Sequence, residues 1–218
     1  MKAEIKIPSN LNEIRLDQYQ KYLKLVAENE PSEFVNQQTI KIFCDLELTE
    51  VAKISYHSVK DILNDILNVF ETKPKFKQTF EIGGKKFGFI PNLDEMTYGE
   101  YTDIETYIAD ANNWHKLLSV LYRPIAKSTK GLYEIEPYLG SDKYSGVMKY
   151  APFDVAISSR VFFYDLAKEL ESVMINSLRQ EVTVEVQEVY NLIKDMVGTQ
   201  PTTHYVGETY FNLKQHQI

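Results

Sequence analysis

The sequence predicts an α+β fold that is predominantly helical: a helical bundle with a small antiparallel sheet. Apolar residues recur every three or four positions in several long segments, most clearly over 58–70, as on one face of a helix. Residues 76–90 alternate between apolar and polar around Gly83-Gly84, a pair that supplies the positive φ angles of a two-residue turn, and so predict a β-hairpin. Residues 3–8, AEIKIP, alternate similarly and predict an N-terminal strand that pairs with the hairpin, because an isolated hairpin is only marginally stable.

The helices follow from apolar spacing and from residues typical of helix ends. Ser32 suits the start of a helix, Ser58 begins a sequence that resembles a capping box, and Pro124 ends the helix before it. Residues 46–56 fit a short helix about as well as a loop, and the turn-rich residues 126–150 predict an ordered connector. The predicted helices span about 16–28, 32–45, 58–70, 97–111, 114–123, 154–178 and 184–197.

The amino-acid composition disfavours several classes of protein. Of 218 residues, 44% are apolar and 25% charged, as in a globular protein. The net charge of −7 disfavours a general nucleic-acid binder, because neutralising phosphates requires an excess of Lys and Arg. The single cysteine, Cys44, excludes an intramolecular disulfide, and its apolar neighbours predict a buried thiol. The N-terminus lacks the apolar core of a signal peptide, and no apolar run approaches the length of a membrane span, so we expect neither.

Two stretches of the sequence echo each other. Ile-Pro, Leu-x-Glu and a later tyrosine occur in the same order in both, and the two tyrosines are Tyr19 and Tyr101. The echo allows an internal duplication of residues 5–45 and 88–125, whereas convergence of common helix-start sequences is the favoured interpretation. We expect residues 1–197 to form one mostly helical domain and residues 198–218, which lack a helical pattern, to form an extended C-terminal arm.

The sequence predicts no catalytic, cofactor-binding or metal site. The four histidines lack metal-ligand spacing, and Gly83-Gly84-Lys85-Lys86 fits a hairpin tip better than a phosphate-binding loop. Arg123 follows a helix, where we expect it to cap carbonyl groups or to pair with a nearby acid. Five carboxylates lie near the predicted start of a helix, where negative charge is favourable. A cation site or an acid/base pair is the alternative role for them. They are Asp94, Glu95, Glu100, Asp103 and Glu105.

Several segments resemble a group of proteins that tailed bacteriophages encode among their structural and morphogenesis genes. These segments are FGFIPNLDEMTYGEYTDIETYI, NNWHKLLSVLYRPI, YEIEPYLG and the aromatic helix VFFYDLAKEL after PFDVA. The resemblance covers residues 5 to about 180. It implies a role in virion assembly, either as a tail assembly chaperone acting on the tape-measure protein or as a minor component of the head or tail. It carries no catalytic residues over to this chain.

We therefore expect a non-enzymatic phage protein that binds other phage structural or assembly proteins and needs no cofactor; the sequence leaves both a monomer and a homo-oligomer open. We expect it in the host cytoplasm during assembly, with retention in the virion as the alternative. A metal-dependent hydrolase using the acidic turn 94–105 and a nucleic-acid adaptor are the alternative functions. The aromatic and basic residues expected to bind proteins are Tyr205, Tyr210, Phe211, Trp114 and Arg123.

Overall fold

The computed structural model of the protein describes residues 5–129, 131–177 and 191. The fold is α+β and predominantly helical, with a four-stranded antiparallel sheet, which confirms the predicted fold class. The described residues form two compact units: residues 5–74 with Pro152–Asp154, and residues 75–151 with the described residues from Val155 onward. A single domain over 1–197 remains a prediction. The predicted arm, and the predicted helix over 184–197 apart from Asn191, lie outside the described residues.

The described part of the first unit is built from helices. They are α1 (Leu16–Glu28), α2 (Glu33–Cys44), α3 (Leu48–Val51) and α4 (Tyr56–Phe70), after a short 3-10 helix over Leu11–Glu13. The start of α2 is as predicted, because the Ser32 hydroxyl accepts a hydrogen bond from the Val35 N–H. The predicted start of α4 is wrong: Ser55, not Ser58, caps the helix. Both serines precede the same apolar stripe, so local sequence does not distinguish between them.

Aromatic rings fill the core of the first unit. Tyr19 of α1 contacts Phe70 of α4 and Phe153, with ring centroids 6.2 and 4.1 Å away. Phe43 of α2 meets Phe70 edge-on at 5.6 Å and lies 5.5 Å from Tyr22. All five side chains are at most 4% exposed. These five aromatic residues therefore form part of the core of the unit, where tilted and edge-on ring pairs add to the energy of burial.

Tyr22 is the subject of a first prediction. Its hydroxyl is buried with no hydrogen-bond partner among the described residues, and burial raises the pKa of Tyr22. We expect Tyr22→Phe to raise the free energy of unfolding by about 1 kcal/mol in chemical denaturation, because it removes a buried polar group that gains nothing from the fold. Tyr122→Phe is the matched control: the Tyr122 hydroxyl donates to the Lys77 carbonyl at 2.7 Å, so its removal is expected to cost about 1 kcal/mol. A clear loss of stability in Tyr22→Phe contradicts the prediction.

The sheet belongs to the second unit. Its strands, in spatial order, are β1 (Thr79–Ile82), β2 (Lys85–Phe89), β3 (Tyr122–Thr129) and β4 (Leu132–Ile135), each antiparallel to its neighbour. Gly83 and Gly84 form the turn between β1 and β2 with φ angles of 57° and 77°, which confirms the predicted hairpin. The first part of β3 pairs with β2, and after a register shift between Ile125 and Lys127 the strand continues its pairing with β4.

Two predictions about the strands are wrong. Residues 5–8, the described part of the predicted N-terminal strand, form no strand. An alternating pattern shows that a segment suits an extended conformation, but not that it has a partner. The strand beside the hairpin is β3, which is aligned by a 2.9 Å hydrogen bond from the Ile90 N–H to the Leu121 carbonyl. The second wrong prediction concerns β3 and β4, which lie where the sequence predicts a helix end and a connector. The prediction fails because Pro124 is typical of a helix end and proline is rare in inner strands.

Two helices of the second unit lie between β2 and β3 in the sequence, and two follow β4. They are α5 (Tyr98–Ile108), α6 (Trp114–Leu121), α7 (Asp142–Met148) and α8 (Phe153–Ser177), with a short 3-10 helix over Ala111–Asn113. The first two residues of α8 are counted with the first unit. α7 lies in the stretch predicted as a connector, whereas the observed bounds of α8 agree with its predicted span. None of the helices in the described part of the chain is long and apolar enough to cross a membrane.

The two echoing stretches form the same helix start. In the first, Gln18 of α1 accepts a hydrogen bond from the Arg15 N–H at 2.8 Å. In the second, Glu100 of α5 accepts one from the Thr97 N–H at 2.7 Å. Both acceptors are the third residue of their helix, where such a side chain satisfies an N–H that the helix itself cannot. The echo in sequence thus corresponds to a shared local structure, while the duplication remains a hypothesis.

The same two side chains also reach the end of the following helix. The Gln18 amide donates to the Ile42 carbonyl near the end of α2 at 2.7 Å, and Glu100 pairs with Arg123, just beyond α6. In both units one residue therefore joins the start of one helix to the end of the next. The first link is neutral and the second is ionic.

An ionic link accompanies the neutral one in the first unit. The Arg15 guanidinium holds both carboxylate oxygens of Asp45 at 2.7 and 2.9 Å, and this contact keeps the pKa of Asp45 below its usual value. Asp45 ends α2 in a left-handed conformation with φ 52°. Its side chain is 61% exposed, so the contact lies at the surface.

Candidate functional site

A groove of about 420 Å³ lies beside the end of β2 in the second unit. It is formed by the segment before β1, the end of β2 and the turn after it, the start of β4, and α8. Its volume is within the range of pockets that hold ligands. The main apolar residues that line it are Phe76, Phe89, Ile90, Leu132, Tyr133 and Phe162.

Three phenylalanines contact one another at this groove. Phe76 stacks on Phe162 with ring centroids 4.5 Å apart and meets Phe89 edge-on at 4.9 Å. Phe89 and Phe162 are 5.5 Å apart and also edge-on. Phe89 is buried, whereas Phe76 and Phe162 are half-buried and present part of their rings to the groove. Mutual ring packing holds these apolar surfaces in place before any ligand binds.

Tyr133 fixes one side of the groove through a close approach to Gly88. Its hydroxyl donates to the Phe89 carbonyl at 2.9 Å, and burial raises the pKa of Tyr133. Its ring lies so near the backbone that a Cβ at Gly88 would stand 2.5 Å from a ring carbon. Glycine is therefore needed at position 88 for the space it leaves to the ring, and no positive φ angle is involved.

We expect Gly88→Ala to lower the free energy of unfolding by about 1–3 kcal/mol, because the new methyl group displaces the Tyr133 ring and breaks its hydrogen bond. Gly146→Ala in α7 is the matched control. A Cβ there meets nothing within 4 Å, so alanine is expected to stabilise the helix by about 0.5–1 kcal/mol. Thermal and chemical denaturation measure both changes. If Gly88→Ala is as stable as the parent, the close approach does not constrain the fold.

The rim of the groove is partly apolar and partly acidic. Leu132 is 79% exposed at the start of β4. Asp94 is exposed in the turn after β2, where its N–H donates to the Asn92 side chain at 3.1 Å. Its carboxylate has no ion-pair partner among the described residues. Within the part of the chain that the structure describes, the groove thus combines an exposed apolar side chain with a negative charge that has no ion-pair partner.

Trp114, expected to bind proteins, lies in the interior of the second unit. Its indole N–H donates to the Ile108 carbonyl at 3.2 Å, and the Arg160 guanidinium lies 5.2 Å from the ring centroid. Both contacts hold the start of α6 in place. Binding by Trp114 remains a prediction, and the expected binding residues of the arm lie outside the described residues: Tyr205, Tyr210 and Phe211.

Arg123 is also interior, and its structural role is the one predicted. Its guanidinium donates to the Val120 carbonyl at 3.1 Å and to the Glu136 carbonyl at 2.7 Å, and it pairs with Glu100. It also lies over the Tyr138 ring, 5.6 Å from the centroid. Arg123 therefore caps α6 and joins it to α5 and to the segment after β4. Protein binding by this side chain remains a prediction.

The carboxylates of the acidic turn take separate positions. Glu100 is buried; burial alone would raise its pKa, but hydrogen bonds from Thr97 and Arg123 outweigh burial and hold the pKa of Glu100 below its ordinary value. Asp103 accepts a hydrogen bond from the Tyr138 hydroxyl. Glu95 and Glu105, like Asp94, are exposed. Within residues 5–129 and 131–177, no three histidine, cysteine, aspartate or glutamate side chains are arranged to hold a metal ion.

Lys85, next to the hairpin turn, takes part in ion pairing, and Cys44 is a buried thiol. Lys85 pairs at 3.5 Å with Glu136, which accepts further hydrogen bonds from Tyr144 and Lys143; these contacts lower the pKa of Glu136 to about 2. Cys44 is buried as predicted, and burial raises the pKa of its thiol to about 11. Burial therefore favours the protonated thiol over the nucleophilic thiolate.

The groove was not predicted from the sequence, because its residues come from segments that are distant along the chain. Phe76 lies before the hairpin, Leu132 lies in an unpredicted strand, and Phe162 lies on α8. One signal was present: Phe162 and its aromatic neighbours make the apolar surface of α8 too broad for a single buried stripe.

Comparisons of this chain with protein-family models, with curated proteins and with solved structures give no match.

Proposed function

We propose that the protein is a non-enzymatic bacteriophage assembly or virion structural protein that binds other phage proteins through the groove. The observation that carries the proposal is the apolar surface that exposed Leu132 and the half-buried Phe76 and Phe162 form at the groove. Apolar and aromatic side chains held at the surface are typical of the central part of protein interfaces. The phage assignment rests on the sequence resemblance.

Several charged residues of the second unit stabilise the fold and lie outside the groove, which supports a binding role for the groove. Glu100 and Arg123 stabilise helix ends, and Glu136 gathers Lys85 and Lys143 at the surface. These groups act on one another and on the backbone, whereas the groove offers mainly aromatic rings and aliphatic side chains. Such a surface suits the recognition of a protein segment.

A pull-down from cells infected with a phage that encodes this protein tests the proposal. The baits are the parent chain, Leu132→Ser and, as a matched control, Leu139→Ser. Leu139 is 69% exposed in the same unit but does not line the groove. We expect the parent and Leu139→Ser to recover the same phage structural or assembly protein, and Leu132→Ser to recover about ten-fold less, as when an apolar side chain that becomes buried on binding is truncated. Recovery of no phage protein, or equal recovery by all three baits, overturns the proposal.

Mass spectrometry of purified particles separates the two forms of the proposal. A virion component is present at a fixed number of copies per particle. A tail assembly chaperone is present in infected cells and missing from mature particles.

A further inference from the structure

We infer that the groove takes an extended segment of a partner protein that carries a basic side chain beside a large apolar one. The inference rests on the proposed function and specifies the partner of the same site. It follows from the two parts of the groove, the packed rings on one side and the carboxylate at the rim.

The rings define the apolar part of the ligand. Phe76 and Phe162 stack on each other and are half-buried, so the parts of their rings that line the groove offer apolar surface without rearrangement. Leu132 projects into solvent beside them and can cover one flank of a bound side chain. A large aliphatic or aromatic side chain removes the most apolar area from water at such a site.

The carboxylate defines the charge of the ligand. Asp94 is the one charged side chain among the described residues that line the groove, it is exposed, and the next residue, Glu95, is exposed and acidic as well. A lysine or arginine side chain can lay its methylene groups along the phenyl rings while its charged head approaches Asp94. An acidic ligand would instead place like charges together at the rim.

Both ends of such a ligand remain in water, because Leu132 and Asp94 are exposed at the rim. The groove therefore suits a side-chain pair on a longer chain that enters and leaves it, and an extended backbone allows adjacent residues to reach its two parts. A second copy of this protein is the competing occupant, and the experiment below separates it.

The test measures binding of labelled nine-residue peptides to the full chain by fluorescence anisotropy. The probes are GSLRFRLSG, its acidic counterpart GSLEFELSG and the apolar-deleted GSSRSRSSG. We expect GSLRFRLSG to bind at least five-fold more tightly than either of the others. Leu132→Ser is expected to weaken its binding about ten-fold, and Leu139→Ser is expected to leave it unchanged.

A second pair of variants tests the charge. Asp94→Asn keeps the shape of the side chain and its N–H hydrogen bond, and we expect it to reduce the preference for GSLRFRLSG over GSLEFELSG by about two- to five-fold, the range for an exposed charge pair. Glu105→Gln removes an exposed acid of α5 that does not line the groove and is expected to leave the preference unchanged.

The outcomes separate this inference from the proposed function. Equal or tighter binding of GSLEFELSG overturns the basic–apolar specificity. No peptide binding, together with a phage partner that Leu132→Ser loses in the pull-down, also overturns it and leaves the proposed function standing. A sedimentation shift from dimer to monomer in Leu132→Ser, with Leu139→Ser still dimeric, assigns the groove to a second copy and overturns the inference. Failure of both the peptide assay and the pull-down removes both proposals.

Discussion

Arg123→Met is expected to lower the free energy of unfolding by about 3–5 kcal/mol. The substitution keeps an apolar stem but leaves the buried Glu100 carboxylate without its cationic partner, and removing one member of a buried ion pair costs about this much. It also removes the hydrogen bonds to the Val120 and Glu136 carbonyls. Chemical denaturation of the parent and the variant measures the difference.

Lys127→Met is the matched control, because Lys127 lies in the same strand and pairs with Glu134 at 3.5 Å on the exposed surface. We expect Lys127→Met to lower the free energy of unfolding by less than about 1 kcal/mol, as for other exposed pairs. If the two variants lose equal stability, the buried pair with Glu100 contributes no more than an exposed one.

The loss of unfolding free energy in Arg123→Met is also expected to depend on pH. The folded-state pKa of Glu100 lies below its ordinary value of 4.5, so its contribution to stability is present above about pH 4.5 and is lost as the pH falls through the folded-state pKa. In the variant, the unpaired carboxylate is most costly when it is ionised. Denaturation at pH 7 and near pH 3 should therefore show a smaller difference between parent and variant at the lower pH. An equal difference at both values excludes Glu100 as the cause.

Phe70→Ala is expected to lower the free energy of unfolding by about 3–5 kcal/mol, an effect as large as that of Arg123→Met. Phe70 is almost fully buried and contacts the rings of Tyr19, Phe43 and Phe153 in the core of the first unit. The substitution loses the transfer energy of the ring and leaves a cavity that three rigid neighbours fill only in part. Denaturation monitored by circular dichroism measures the loss.

Phe34→Ala supplies the comparison for Phe70→Ala. Phe34 is 52% exposed on α2 in the same unit, so we expect a change within about 0.5 kcal/mol. A similar small change in Phe70→Ala would show that the rings around it rearrange to close the cavity.

Local sequence signals predict the elements whose ends are set locally. Ser32 starts α2, Thr97 starts α5 and Gly83-Gly84 form the hairpin turn, because each satisfies a backbone requirement within a few residues of itself. The third and fourth strands depend instead on pairing between segments that are distant in sequence. Pro124 obscures them further, since a proline after a helical stripe predicts a stop and gives no sign of a strand.

The candidate site is less predictable for a related reason. The role of Arg123 follows from its place after a helix, although the sequence alone does not select Glu100 from the acids before it. The groove depends on Phe76, Leu132 and Phe162, which come together only through the sheet and α8. Their side chains are ordinary in composition, and only their partial exposure in the folded chain marks them as a binding surface.

The links between helix ends imply that ionic strength acts differently on the two units. The Arg15–Asp45 contact lies at the surface, where mobile ions weaken attraction between charges. The Glu100–Arg123 contact is buried, with both side chains at most 8% exposed, and screening by salt is much weaker there. Concentrated salt should therefore loosen the junction of α1 with α2 and spare that of α5 with α6. In hydrogen exchange, amides at the end of α2 should gain exchange rate with added salt while those at the end of α6 do not.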